Sequence, residues 1–240
     1  MSSSTWTPHA VAPEAVGTRL QLWRAVEAQH VVATRALVDS LQEQELLEGI
    51  LERSKPPIPA AAAGYDYLLF TPFRYPPSQH GSRFRSLTDA GVWYGADAVR
   101  TSCAELGYWR WRFVTDSHGL ERLDGVPHTV FQAVARGRTI DLRAKPFARD
   151  RSVWSNPSDY SGCQALAHSA RAAETQMIRY ESVRDPQHGG CAAVLDPRAL
   201  GGNGGVRRRQ TWFLTVDRQR ASWVRAGTRH AQTEEFIYQV

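Results

Sequence analysis

Between Glu14 and Arg53 the chain carries no proline and two glycines, while Leu37, Val38, Leu41, Leu47, Ile50 and Leu51 recur at three- and four-residue offsets. Apolar positions spaced this way fall on one face of a helix, so the segment predicts one or two amphipathic helices. Residues 1–13 are small, polar and interrupted by Pro8 and Pro13, and read as a disordered tail. The run Ser54-Lys-Pro-Pro-Ile-Pro-Ala-Ala-Ala-Ala-Gly64 breaks the helical pattern and reads as a linker.

From Tyr65 the texture changes. Tyr65 to Phe73 is aromatic and apolar enough for a strand, closed by Pro76 and Pro77. Gly91 to Gly95 predicts a short strand. Ala98 to Phe113 predicts a helix with Asp97 as its cap. Val130 to Leu142 reads as strand, with a turn at Arg136-Gly137-Arg138. Ser161 to Ala173 is helical in pattern; Met177 to Ser182 and Cys191 to Leu195 are strands flanking the turn Arg184-Asp-Pro-Gln-His-Gly-Gly190. Gly201-Gly-Asn-Gly-Gly205 reads as flexible, and Thr211 to Asp217 with Ala221 to Arg225 predicts a terminal hairpin. Strands and helices mix without regular alternation, which favours an α+β fold over a doubly wound sheet. No internal repeat is visible.

The 240 residues suffice for one large domain, or one domain plus an appendage. Eight Trp, eight Tyr and eight Phe supply a core. The net charge of +5 comes from arginines scattered along the chain, with one dense run at Arg207-Arg208-Arg209. A solvated basic surface is the first reading of such a charge; a pocket for a phosphorylated ligand comes next, and nucleic acid last. Three cysteines with no CxxC pair argue against a disulfide framework and fit a reducing cytoplasm. No signal-peptide pattern and no membrane-spanning apolar run is visible, so a cytoplasmic location without membrane attachment is expected.

The common catalytic signatures are missing. The chain has no HExxH and no His pair at ligand spacing, so no metal site is expected. It has no P-loop and no Gly-x-Ser-x-Gly elbow. The glycine run at 201–205 lacks the strand–helix context of a dinucleotide fingerprint.

What remains is concentrated between Tyr65 and Phe113. Phe73-Arg74-Tyr75 ends an expected strand, Gly81-Ser82-Arg83-Phe84 follows a proline-rich turn, and Trp93-Tyr94-Gly95 ends the next strand. Tyr94 is eleven positions after Arg83 and eleven before Glu105. A site for a dinucleotide cation needs two guanidinium forks for the pyrophosphate, a ring to stack on nicotinamide, and a carboxylate to offset charge on the ribose. Arg74, Arg83, Tyr94 and Glu105 supply that set. Each also has an ordinary reading on its own, as a surface cation–π pair or a solvated helix carboxylate. In a second cluster, Asp159 to His168, Ser161 sits where a loop enters a helix. It serves either as an N-cap or as a hydroxyl offered to a phosphate or ribose. Cys163 reads as a buried small residue, and Gln164 is either exposed or faces the same pocket as Ser161. In a third cluster, Tyr180 to Pro197, Arg184 and Asp185 read as a pair that fixes the turn.

The order Phe-Arg-Tyr, Gly-Ser-Arg-Phe, Trp-Tyr-Gly, Ala-Glu, Ser-Gly-Cys-Gln-Ala, Tyr-Glu-Ser-Val-Arg-Asp-Pro and Ala-Val-Leu-Asp-Pro resembles the RES domain, over roughly residues 66–200. The resemblance implies an ADP-ribosyltransferase-like fold in the segment 65–240, ending in a C-terminal β-hairpin, with residues 14–64 as a helical extension and linker. It implies a toxin paired with an Xre-type antitoxin, which consumes NAD as substrate and takes no metal. By position, Arg74 and Arg83 resemble the paired basic residues, Tyr94 the ring on nicotinamide, Glu105 the catalytic acid and Ser161 the active-site serine. Tyr75 and Gln164 match the same wall. Ser161 is preferred to Ser182 because Ser-Gly-Cys-Gln-Ala matches the family's local context. Many members carry Gly-Gly-Arg-Trp-Asn-Pro where this chain has Gly81-Ser-Arg-Phe-Arg-Ser86, so the loop shape is not carried over.

The implied chemistry is dissociative: nicotinamide leaves, and phosphate, water or a protein side chain takes the ADP-ribose. An NAD phosphorylase or glycohydrolase is the first expectation and a protein ADP-ribosyltransferase the second. A non-catalytic basic module for nucleic acid or protein is the third. The helical region 14–53 has three open roles: packing on the domain, holding an antitoxin, or self-association as a homo-oligomer.

Overall fold

The computed structural model describes residues 6–28, 38–76, 81–201, 205–227 and 232–238; Leu37 of the expected helical pattern lies outside them. The first departure from the sequence reading comes at once. A short helix, α1 (Pro8–Val11), is capped by the Thr7 hydroxyl, which accepts from the Ala10 N–H. Val11 is fully buried, and the Trp6 indole donates to Asp150 at 2.7 Å. Residues 6–13 are therefore ordered against the core, because one tryptophan and one valine have apolar surface to bury there.

The second departure is larger. Val16–Glu27, expected to be helical, is strand β1. Leu20 and Leu22 are buried with exposed Gln21 between them, the two-residue alternation of a strand. The helical spacing holds only further on, in α2 (Leu41–Ser54). Its start is a reciprocal cap: Ser40 Oγ accepts from the Glu43 N–H, and the Glu43 carboxylate accepts from the Asp39 N–H. No α2 residue is buried.

Tyr65 to Phe73 was expected as a strand. The structure has helix α3 (Tyr67–Arg74) there, capped by the Asp66 carboxylate on the Leu68 N–H. Leu68, Leu69 and Phe73 share its buried face. Pro72 lacks the N–H that Leu68 C=O would otherwise accept in the helix, and the Trp93 indole donates to that carbonyl instead. The helix thus tolerates its proline because β2 (Trp93–Ala96) supplies the missing donor.

Helix α4 (Val99–Asp116) follows. Its N-cap is Ala98, with no side-chain cap. Asp97, the expected cap, turns its carboxylate to Arg179 at 2.6 Å, because a charged partner competes better than a neutral N–H. Strand β3 (Arg122–Asp141) runs unbroken through the expected turn at 136–138, with Arg136 opposite Arg19 and Gly137 opposite Thr18. Gly137 serves close approach rather than a turn: a Cβ there would lie 2.4 Å from the Gln176 side chain.

The remaining elements are α5 (Arg151–Trp154), α6 (Ser161–Ala172), β4 (Met177–Glu181), β5 (Gly190–Val194), β6 (Val206–Asp217), β7 (Arg220–Arg225) and β8 (Thr233–Ile237). The expected hairpin is present as β6–β7, and β8 extends it to three strands. The Arg207–Arg209 run opens β6, where Arg209 pairs with Asp66.

The sheet order is β1-β2-β5-β4-β3-β6-β7-β8, with β1 also pairing along β3. The long β3 therefore closes the circuit β1-β2-β5-β4-β3, while β6 to β8 continue outward from the edge of β3 opposite β1, along its first half. The mix of helices with antiparallel and parallel pairings confirms an α+β fold. Three buried clusters hold it together: one includes Phe84, Phe147, Trp154 and Leu166, a second Phe73, Trp93 and Phe131, and a third Cys103, Trp111, Trp212 and Trp223. Tyr94 packs on the first, and Glu105 sits on the helix that packs on the third.

Candidate active site

Glu105 lies mid-way along α4, partly buried. Ser182, fully buried just past the end of β4, donates its hydroxyl to Glu105 Oε1 at 2.5 Å. The same Ser182 oxygen accepts from the backbone N–H groups of Arg184 and Asp185, at 3.1 and 3.0 Å. Accepting two donors leaves the hydroxyl proton to point at the carboxylate. Burial pushes the Glu105 pKa above the ordinary carboxylate value, opposed by the Ser182 hydrogen bond and by the positive charges of Arg83 and Arg184.

The turn that carries Arg83 is built by its neighbours. Ser82 and Arg85 close a two-residue bridge through backbone hydrogen bonds in both directions. Gly81 has φ +61°, and a Cβ there would lie 2.5 Å from the Arg85 carbonyl, so the turn needs glycine. Gln164, on α6, donates to the carbonyls of Ser82 (3.0 Å) and Arg85 (3.3 Å). The Tyr94 hydroxyl shares a 2.8 Å hydrogen bond with Ser82 Oγ and accepts from the Phe84 N–H at 3.0 Å. Burial raises the Tyr94 pKa to about 12, so the phenol stays neutral. Arg83 itself is buried, and its Nη1 donates to the Trp154 and Asn156 carbonyls at 2.8 and 2.9 Å. The Tyr160 ring lies 4.6 Å from its guanidinium carbon. Arg83 acts electrostatically on both Tyr94 and Glu105.

A cavity of about 340 Å³ opens beside Tyr94, with Arg24, Tyr75, Gly81, Ser82 and Arg85 on its walls. No Asp or Glu lines it. Among the described residues there is no group of three or more His, Cys, Asp or Glu side chains that could hold a metal ion. No helix among them is long and apolar enough to cross a membrane.

The structure thus brings Arg83, Tyr94, Glu105 and Gln164 into one neighbourhood, with Tyr75 on the cavity wall. It does not bring Arg74 or Ser161. Arg74 donates through Nε to the Pro56 carbonyl at 2.6 Å and pairs with Glu52 of α2 at 2.8 Å. Ser161 is exposed as the first residue of α6, after Tyr160 as N-cap, and its N–H donates to Asp159. The serine against Glu105 is Ser182, not the expected Ser161: the strand-end turn aims Ser182 inward, whereas Ser161 is exposed at the start of α6. The expected Arg184–Asp185 pair is also absent. Asp185 is buried against Thr101 (2.8 Å) and Arg100 (3.3 Å), while Arg184 stacks on Tyr108 and donates to Tyr160 and the Pro157 carbonyl.

Two charged cavity residues, Arg24 and Arg85, have no motif of their own in the sequence. Arg85 stands in the same loop as Arg83. For Arg24 the Leu20–Leu22 alternation is the signal that places it on a strand.

A family model for the RES domain matches residues 57–217. Among solved structures, the chain is similar to one in the crystal structure of the M. tuberculosis MbcT-MbcA toxin-antitoxin complex, with 15% identity and a TM-score of 0.47, covering 83% of this chain and 86% of that one. No curated protein matches the chain.

Proposed function

The chain belongs to the RES domain family, and on that premise we propose that it is a toxin on an ADP-ribosyltransferase-like fold that cleaves NAD between nicotinamide and ribose. The observation that carries the reading is the Ser182–Glu105 hydrogen bond within the electrostatic reach of Arg83, which also acts on Tyr94 of the cavity wall. A carboxylate that accepts a hydrogen bond from Ser182 and feels the charges of Arg83 and Arg184 is suited, when ionised, to offset positive charge that develops on a bound ribose.

In the proposed reaction the C–N bond to nicotinamide breaks with both electrons leaving on the nicotinamide nitrogen. The ribose carbon takes oxocarbenium character, opposite the Glu105 carboxylate. Ser182 fixes the orientation of that carboxylate, and Arg83 and Arg184 favour its charge. Tyr94, whose hydroxyl is occupied by Ser82 and Phe84, lines the cavity, and its ring is the proposed nicotinamide wall. An oxygen of phosphate or water then forms the new bond to the ribose carbon and releases its proton. Remote contacts to the rest of the dinucleotide position the scissile bond. An Xre-type protein antitoxin is the proposed partner.

The test is to incubate the protein with NAD, with and without inorganic phosphate, and identify the products. Free nicotinamide with ADP-ribose or its 1-phosphate supports the reading. Intact NAD contradicts it, and ADP-ribose adducts on protein would move it to the protein-modifying class.

A further inference from the structure

We propose that Arg24 and Arg85 form a binding site for a phosphoryl oxyanion in the cavity beside Tyr94. The inference deepens the function above and rests on its reading of that cavity as the substrate pocket.

The two arginines that the sequence nominates for phosphate are not on the cavity wall. Arg74 is committed to Glu52 and Pro56, and Arg83 gives Nη1 to two main-chain carbonyls. Arg24 and Arg85 instead line the cavity. Neither forms an ion pair with a carboxylate among the described residues. Arg24 Nη1 donates to the Tyr94 carbonyl at 2.7 Å, and its guanidinium carbon lies 5.4 Å from the Trp93 ring centroid. Its Nε is buried without any partner. Arg85 uses Nε and Nη2 on the carbonyls of Asp89 (3.3 Å) and Tyr75 (2.9 Å). The nearest acid, Asp89, gives its carboxylate to the Ser86 N–H and to His168.

Both arginines therefore line one concave space whose walls hold no Asp or Glu. Burial costs each of them: it lowers the Arg24 pKa to about 10 and draws Arg85 down as well. A buried cation without a counter-charge is unfavourable, and an oxyanion seated between the two forks supplies that charge with charge-assisted hydrogen bonds. Arg24 comes from β1, outside the segment 57–217 that the family model matches, so this half of the site is contributed by the chain's own N-terminal strand. The oxyanion is either a phosphate of the dinucleotide or free phosphate acting as acceptor; both present the same tetrahedral oxygens.

The test is calorimetric titration of the full chain with inorganic phosphate and, separately, with ADP, using wild type, R24Q, R24K and R85Q. R24Q and R85Q should each weaken binding about 10- to 100-fold, the loss expected for charge-assisted hydrogen bonds, with R24K retaining more than R24Q. A loss seen with ADP alone places the dinucleotide's diphosphate at the site; a loss seen with inorganic phosphate places the acceptor there. Wild-type affinity in both R24Q and R85Q, or no binding of either ligand to wild type, overturns the proposal. Thermal melts establish that each variant is folded, and if R24Q is not, R85Q decides. NAD turnover is followed in parallel. Arginine-dependent anion binding without NAD turnover keeps the site and removes the proposed function, whereas turnover and ADP affinity unchanged in both variants do the reverse.

Discussion

Ser182 and Glu105 meet through a 2.5 Å hydrogen bond that ties the end of β4 to the middle of α4, across 77 residues of sequence. The bond fixes the carboxylate that the proposed chemistry depends on. Ser182→Ala removes the donor and strands the Arg184 and Asp185 N–H groups. We expect a stability loss of about 1–3 kcal/mol and NAD turnover reduced about 10- to 100-fold. Ser161→Ala, at an exposed helix start, should behave as wild type in both. Melting curves and turnover measured side by side check this, and the opposite ranking would restore Ser161.

Glu105 also sets a pH dependence. Its pKa is raised by burial, so the folded protein binds a proton that the unfolded chain has released across the interval between the ordinary value and the raised one. The stability linked to this group is fully present below the ordinary value and is lost as pH rises through the raised one. Glu105→Gln removes that linkage, so the variant should gain stability relative to wild type from acid to neutral pH. Activity runs the other way, because the ionised form does the work: turnover should fall as pH drops through the raised value. Melting temperatures of both proteins between pH 4 and 8, with turnover over the same range, test the pair of trends. A melting difference that does not change with pH contradicts the burial argument.

Part of this neighbourhood has a local signature in the sequence and part has none. Arg83, Tyr94 and Glu105 each stand in a short recognisable motif. The contact between Ser182 and Glu105 has no local signature, and Ser-Gly-Cys-Gln-Ala favours Ser161, which α6 turns to solvent. Arg24 has no local signal because the helical spacing of residues 37–51 dominates the pattern, and over β1 only Leu20 and Leu22 betray the alternation. At Tyr67–Arg74 aromatic content suggested a strand, but the Asp66 cap and the shared face of Leu68, Leu69 and Phe73 make a helix. The carbonyl that Pro72 leaves open is satisfied by Trp93, a partner no local window contains.

The Gly81 turn is a point of mechanical weakness. Gly81→Ala forces a side chain into positive φ and against the Arg85 carbonyl. The expected cost is about 1–3 kcal/mol, with turnover falling because Ser82, Arg83 and Arg85 all move with the turn. Thermal melts together with NAD turnover check it; a neutral effect on both would show that the turn has room to shift.

Tyr94→Phe separates the ring from its hydroxyl. The ring stays, while the Phe84 N–H and Ser82 Oγ lose their shared partner. A loss of about 1–3 kcal/mol of stability is expected from the unpaired N–H. KM for NAD should rise more than kcat falls, because the turn and not the carboxylate is loosened. A selective fall in kcat would instead place the phenol in the bond-breaking step.

The most direct test follows NAD by proton NMR in the presence of phosphate, with wild type and with Glu105→Gln shown to be folded by its melt. Free nicotinamide should accumulate with wild type and not with the variant. Nicotinamide release by the variant at the wild-type rate, or none from either protein, contradicts the account.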